Sequence, residues 1–460
     1  MTSVFRSRVI LMLSVLLLSA CAGQYRPVNT ELPESRAGEE LSLIRGQRPG
    51  GNPDVQVFLA FSGGGTRASA LSYGVLSELR ETQYKAAHTT YSLLDEVDAI
   101  SSVSGGSFTA AYYGLYGDRI FDDYEEKFLK HEVQSTLIKR LFNPYNWWRS
   151  ITTQFDRNEI AVEYYDQTIF SGATMGDLRD AEGPSIIINS TDLTTGNRFS
   201  FDQATFDLIC SDINDYPVSR AVTASSAVPV LFNPVVLNNF AGQCDTGTHE
   251  LLDNLLARDD LNLRQSHLLN NVSTLRDSQQ RPFIHLVDGG ISDNLGLRAL
   301  VDWTDILGTS GVTTQLIGGE VKRPRHVALI LVNAALTPER TMDSSADAPS
   351  STDVLTAISD SQMLRYTLET QMLIQELAAN AEAHFQENGV PIYIHVSLLS
   401  FKDVQDEVLF QRLNAIQTTL ELPEDQVDEL INSGRLLLRE NEEFQQFLQA
   451  IDQTAVSTGS

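Results

Sequence analysis

The chain has 460 residues, 42% hydrophobic and 20% charged, enough apolar material for one large core or two ordinary ones. Its formal net charge of −27 repels phosphate backbones and anionic bilayers alike. Nucleic acid is thereby excluded as a partner, and any contact with lipid has to be local and apolar.

The N-terminus reads "MTSVFRSRVILMLSVLLLSACAGQ". Arg6 and Arg8 precede an apolar run, Ile10 to Leu18, that is too short to span a bilayer, which is the order of an export signal. "LSAC" at 18–21 resembles a bacterial lipobox, in which residues 1–20 are removed and Cys21 carries lipid. An ordinary cleaved signal is the plainer alternative. Ala22, rather than Asp, follows the cysteine, which in the usual sorting pattern implies the outer membrane. The expectation is a lipoprotein of the bacterial cell envelope, held to the membrane through its lipid. Residues 21–53, with Pro27, Pro33, Pro49, Gly50 and Gly51, read as a flexible tether.

From residue 54 the pattern changes. "VQVFLAF" (55–61), "VDAISSV" (97–103), "SIIINSTDL" (185–193), "FIHLVDGG" (283–290) and "HVALILVNAA" (326–335) predict strands, and helical spacing follows the first two. This alternation predicts an α/β fold with a mostly parallel central sheet, covered on both faces, across 54–335. Residues 118–160 interrupt it and hold "NPYNWWRSI", with Trp147 and Trp148 either packed inside a cap or set against lipid. Residues 243–281, polar with leucines at helical spacing, read as an inserted helical arm. A low-complexity linker (337–353), a helix over about 353–388, the strand "PIYIHVSLL" and two closing helices make 336–460 a mainly helical C-terminal region. In an oxidising compartment Cys210 and Cys244 can form a disulfide or remain two buried thiols.

Three short stretches carry chemistry. "AISSVSGGSFTAAYY" (99–113) holds four serines where a strand gives way to a helix. Ser104 alone sits in the turn of a G-x-S-x-G-like frame, with Ser102 and Gly106 at the small positions, whereas Ser101 and Ser102 end the strand and Ser107 lies inside the helix. A plain Gly/Ser turn would look similar. "SGGGTRA" (62–68) places glycine amides at a helix N-terminus, where an anion is stabilised. A dinucleotide pyrophosphate and the oxyanion of acyl transfer both suit it. The dinucleotide reading asks for an acid ending the next strand, but that strand ends at Val103–Ser104. "HLVDGGISDNLGL" places Asp288 at a strand end before Gly289 and Gly290, either a structural Asp-Gly turn or a third functional loop. The histidines that follow it, His326, His384 and His395, lie on strands or a helix and read as structural. That leaves Ser104 and Asp288 as a dyad, with the carboxylate taking the hydroxyl proton directly. The sequence holds no metal-ligand cluster and calls for no cofactor.

Together, "GGGTR" (63–67), "SVSGG" (102–106) and "DGG" (288–290), in that order, resemble the patatin-like phospholipase family. "STDLTTGNRFSFD" (190–202), "RAVTASSAVPVLFNPV" (220–235) and Asn294 add softer likenesses over about 54–335. The resemblance implies a three-layer patatin-like α/β fold and lipid acyl hydrolysis of phospholipase A or lysophospholipase type, through an acyl-enzyme. It implies Ser104 as nucleophile, Asp288 as base, and Gly63, Gly64 and Gly65 as oxyanion donors. Arg67 would orient the loop or meet a lipid phosphate. Departures are Ser102 for the first motif glycine, Ala68 for a frequent glycine, and "NLGL" for a stretch that often holds proline. A non-catalytic lipid-binding or scaffold lipoprotein on the same fold is the rival expectation.

Overall fold

The computed structural model describes residues 27–34, 48–306, 326–337, 346–387 and 392–457, apart from Pro49, Ala87, His88, Gln154, Val230 and Trp303. The export segment and Cys21 lie outside the described residues.

Eight strands form the central sheet: β1 (Val55–Phe61), β2 (Val97–Val103), β3 (Ser185–Asp192), β4 (Arg198–Phe201), β5 (Val235–Asn238), β6 (Phe283–Asp288), β7 (His326–Asn333) and β8 (Tyr393–Ser400). β8, β7, β1, β2 and β3 lie side by side in that order and all run parallel. β1 is buried along nearly its whole length, as its unbroken apolar run requires of a strand covered on both faces. The helices that serve the site are α1 (Gly65–Glu81) after β1, α2 (Gly105–Tyr116) after β2, α3 (Val218–Ser225), and the C-terminal α4 (Ser351–Glu387), α5 (Glu424–Glu440) and α6 (Glu442–Ser457).

The register around β3 sets the site. β2 pairs with its first half, Ser185 to Asn189, and β6 with its last three residues, running antiparallel. β4 pairs with Ile188 to Thr191 and overlaps both, so it occupies the opposite edge of β3. β2 and β6 therefore share one lane and run towards each other. Val103 pairs with Asn189, and Asp288 pairs with the next residue, Ser190. The sheet is mostly parallel as expected, but the aspartate strand reaches the site from the opposite direction.

The C-terminal region shares this core. β8 extends the sheet, and Leu430 and Phe447 pack in the same apolar cluster as Val57 and Leu71. α5 lies against α1 so closely that a Cβ at Gly74 would collide with the Ile431 carbonyl oxygen, and one at Gly434 with that of Leu71. Buried Glu78 on α1 accepts from Arg435 at 3.2 Å and from Arg439 at 2.7 Å on α5. The expected arm at 243–281 is two helices, Gly247–Leu256 and Leu263–Ser273. They are folded onto the body through Leu252, Leu255 and Leu269. Cys210 and Cys244 are joined in a disulfide with a Cα–Cα distance of 5.6 Å, which ties the start of this insertion to the body.

The tether expectation needs correction at both described pieces. Thr30–Glu31 pairs with Ser211–Asp212, and the Asn29 side chain donates to Ser211 Oγ at 3.0 Å and accepts from the Asn238 amide at 2.8 Å. The Arg48 and Asn52 amides, each at 2.9 Å, donate to Asp98 and Glu96, whose carboxyls burial pushes up to about 7. A polar, proline-bearing stretch resembles a free linker in composition, but its amides have found buried acceptors.

Replacing Gly434 by Ala forces α1 and α5 apart. The loss should be about 2 kcal/mol or more, the cost of overpacking a tight interface, read as a lowered Tm in thermal unfolding. The Gly74→Ala, Gly434→Ala double variant should fall short of the sum, because both act on one helix pair.

Candidate active site

Ser104 occupies the single residue between β2 and α2, with φ 51° and ψ −121°, a strained conformation for an L-residue with a side chain. Its surroundings hold it there. The Ser104 amide donates to Ser225 Oγ at 2.8 Å, and Ser225 Oγ in turn donates to the Asn189 carbonyl at 2.6 Å. Ser107 Oγ lies 3.0 Å from Ser225 Oγ. Gly105 and Gly106 are required by space: a Cβ on the first would strike the Gly65 carbonyl, and one on the second would lie 2.7 Å from the Phe61 and Ser62 carbonyl oxygens. Ser102, which replaces the motif glycine, is buried and donates to the Ile187 carbonyl at 3.1 Å.

The glycine loop lies against this turn. A Cβ at Gly63 would sit 3.3 Å from that of Ser104. Gly64 and Gly65 have φ of 142° and 58°, and with them the chain enters α1. The sequence names Gly63, Gly64 and Gly65 as amide donors, but the Gly63 amide already donates to the Asn294 carbonyl at 3.0 Å. Among the described residues the amides of Gly64 and Gly65, and that of Gly105 directly after Ser104, have no acceptor. Two of them open helix α1 and the third opens α2, where unpaired amides and the helix dipole favour an anion. Of the two roles open to Arg67, the structure favours positioning. Its guanidinium is buried and donates to the Ala334 carbonyl at 2.9 Å and the Ile416 carbonyl at 2.8 Å.

Asp288, buried at the end of β6, meets Ser104 head-on. Its Oδ2 accepts from Ser104 Oγ at 2.9 Å, and its Oδ1 accepts from the Gly290 amide at 2.8 Å. Its own amide donates to the Ala227 carbonyl, and its carbonyl accepts from Thr191 Oγ1 at 2.8 Å. Burial pushes the carboxyl up to about 6, against the two hydrogen bonds that favour its charged form. The C-terminal helix α4 overlies this turn: a Cβ at Gly290 would lie 3.1 Å from Met363 Cε.

The histidines stay away. His326 begins β7 and pairs with Val55, at the end of the parallel strands opposite that of Ser104, and it stacks on His395. His384 packs edge-on against Phe385. His249 lies near Cys210 and Cys244, but those sulfurs are bonded to each other and leave no thiolate for a metal.

The structure brings Ser104, Asp288 and the glycine loop together and adds two groups that the sequence does not mark, Ser225 and the Gly105 amide. Ser225 lies 121 residues from Ser104, and nothing local in "VTASSAVPV" marks one of its serines as a support.

Ser104, strained at a strand-to-helix turn, is thus hydrogen-bonded to a buried carboxylate beside unpaired helix-start amides, in a mostly parallel α/β fold. The chain belongs to the patatin-like phospholipase family, whose model matches residues 59–301. Curated protein sequences gave no match. Among solved structures it is similar to human GIVD cytosolic phospholipase A2, at 11% identity and a TM-score of 0.46. That likeness covers 88% of this chain and spans 63% of that one. It is similar also to the full-length complex of SpcU with ExoU from the type III secretion system of Pseudomonas aeruginosa. There the identity is 15% and the TM-score 0.21, over 95% of this chain and 99% of that one.

Two outcomes follow from the geometry. Ser225→Ala removes the acceptor of a buried amide and loosens the strained turn, so thermal unfolding should show a loss of about 1–3 kcal/mol with the fold intact by circular dichroism. Asp288→Asn should stabilise the protein. The native carboxyl titrates near 6 and the unfolded one near 3.8, so the native state holds a proton that the unfolded chain loses between those values. Its ionisation therefore costs stability as pH rises through 4–6, in full above that. The variant should gain up to about 3 kcal/mol at pH 8 and little at pH 4, as read by thermal unfolding.

Proposed function

We propose that the chain is a serine-dependent lipid acyl hydrolase of phospholipase A or lysophospholipase type, anchored to the bacterial outer membrane by lipid on Cys21. The observation that carries the reading is the 2.9 Å hydrogen bond from Ser104 Oγ to Asp288 Oδ2, made by a serine in a strained turn beside unpaired amides. The export signal and lipobox-like "LSAC" support the anchor. Among the described residues no helix is long and apolar enough to cross a membrane.

In this mechanism Ser104 Oγ attacks the ester carbonyl carbon while its proton passes to Asp288 Oδ2. The negative charge that develops on the carbonyl oxygen is met by the amides of Gly64, Gly65 and Gly105, already oriented by two helix starts. Collapse breaks the bond to the alcohol, which leaves with the proton from Asp288, and the acyl group remains on Ser104. Water attacks the acyl-enzyme, again giving a proton to Asp288. The second collapse releases the fatty acid and returns that proton to Ser104. A carboxyl lifted to about 6 suits this work, because it is a stronger base than an exposed carboxylate and is still ionised at neutral pH.

Ser104→Ala should abolish ester hydrolysis and labelling by a fluorophosphonate probe while the protein remains folded. Retained hydrolysis in that variant would sink the assignment, and a wild type that is folded but unlabelled would favour a lipid-binding scaffold. Wild-type activity should rise with pH to a plateau, with its midpoint near 6, as Asp288 loses its proton.

A further inference from the structure

The helix Pro144–Thr152 is built inside out. Its polar residues turn inward: Asn146 donates to the Arg140 carbonyl of the preceding helix at 2.9 Å, and half-buried Arg149 ties the helix to the body by pairing with Glu163 at 3.0 Å. Its large rings face outward instead, with Tyr145 63%, Trp147 65% and Trp148 59% exposed, and Phe142 just before them 77% exposed. A soluble helix normally turns its apolar face inward, so this reversal marks a surface meant for an apolar medium.

Its charge is also reversed. Residues 133–152 carry Lys139, Arg140 and Arg149 and no acid, in a chain of net charge −27. Lys139 reaches Glu132 at 3.3 Å, and Arg140 lies over the Tyr164 ring, so cations flank the rings without forming a large field. Exposed tryptophan and tyrosine with flanking arginine and lysine is the composition of the bilayer–water interface.

A run of hydrogen bonds links the preceding helix to the glycine loop. The Thr66 amide, next to the glycine loop, donates to the Thr419 carbonyl at 2.8 Å. The following residues carry the connection onward: the Leu420 amide donates to Gln134 Oε1 at 3.2 Å, and the Ser135 amide to Glu421 Oε2 at 2.7 Å. Gln134 and Ser135 begin the helix Val133–Leu141, which leads directly into the aromatic one. On the Asp288 side, exposed Leu231 follows Ala227, whose carbonyl holds the Asp288 amide.

We propose that the helix pair Val133–Leu141 and Pro144–Thr152 is an interfacial docking surface that lays this face of the protein on a lipid bilayer. The rings enter the headgroup–acyl boundary, and the polar face keeps the helix fixed to the protein. Docking is mainly apolar, because the rest of the chain is strongly acidic.

The test uses the full chain carrying Ser104→Ala, so that vesicles stay intact, with phosphatidylcholine brominated on its acyl chains. Tryptophan emission should be quenched, and the added double substitution Trp147→Ala, Trp148→Ala, which leaves Trp303 in place, should remove most of that quenching. In the Ser104 protein the same double substitution should lower hydrolysis of vesicular phosphatidylcholine by about 10-fold while a soluble short-chain ester is hydrolysed at the wild-type rate. Unquenched emission overturns the proposal, as does an equal loss on both substrates. A change of oligomeric state without a change in quenching overturns it in favour of contact between copies. If the wild type hydrolyses neither substrate, the hydrolase reading fails and the quenching alone still decides the docking.

Discussion

Everything at the site depends on one hydrogen bond, from a hydroxyl at the end of one strand to a carboxylate at the end of another that faces it. Ser104 and Asp288 are brought together because β2 and β6 run head-on along the same edge of β3, pairing with the consecutive residues Asn189 and Ser190. The distance between the hydroxyl and the carboxylate is thereby set by backbone register and not by a flexible side chain. A slip of one residue would also turn every side chain of the slipped strand to the other face of the sheet, so the core guards the geometry.

The arrangement is unfavourable in isolation and is stable only because its surroundings impose it. The serine is in a conformation that costs on the order of 1–3 kcal/mol, and among the described residues no cation meets the buried carboxyl. Ser225, Gly105, Gly106 and the Asn294 carbonyl each remove an alternative that the turn or the loop would otherwise relax into. Arg67 acts at longer range. It ties the start of α1 to the end of β7 and to Ile416, so the C-terminal region helps to fix the glycine loop.

The parts legible in the sequence were those whose constraint is local. Gly105 and Gly106 have to be glycine because of what touches them, and an aspartate before two glycines marks a turn, so motif and strand end fall together. The direction of β6 was not legible, because "FIHLVD" reads the same in a parallel or an antiparallel strand. Nor was the membership of β8 and α5 in the main body. Those depend on distant pairings, of β8 with β7 across 67 residues and of Glu78 with Arg439 across 361. The exposure of Trp147 and Trp148 was also undecided, since a ring at helical spacing faces core or surface according to what else folds over it.

One consequence concerns timing. β1 lies between β2 and β7, and the Thr66 amide at the start of α1 is held by the carbonyl of Thr419. A growing chain has Ser104 early but lacks the Thr419 carbonyl until more than 300 further residues have been made. Long-range pairings of this kind form slowly and late. The serine is thus made long before its surroundings are set, and an incomplete chain carries Ser104 without the contact that fixes the start of α1 beside it.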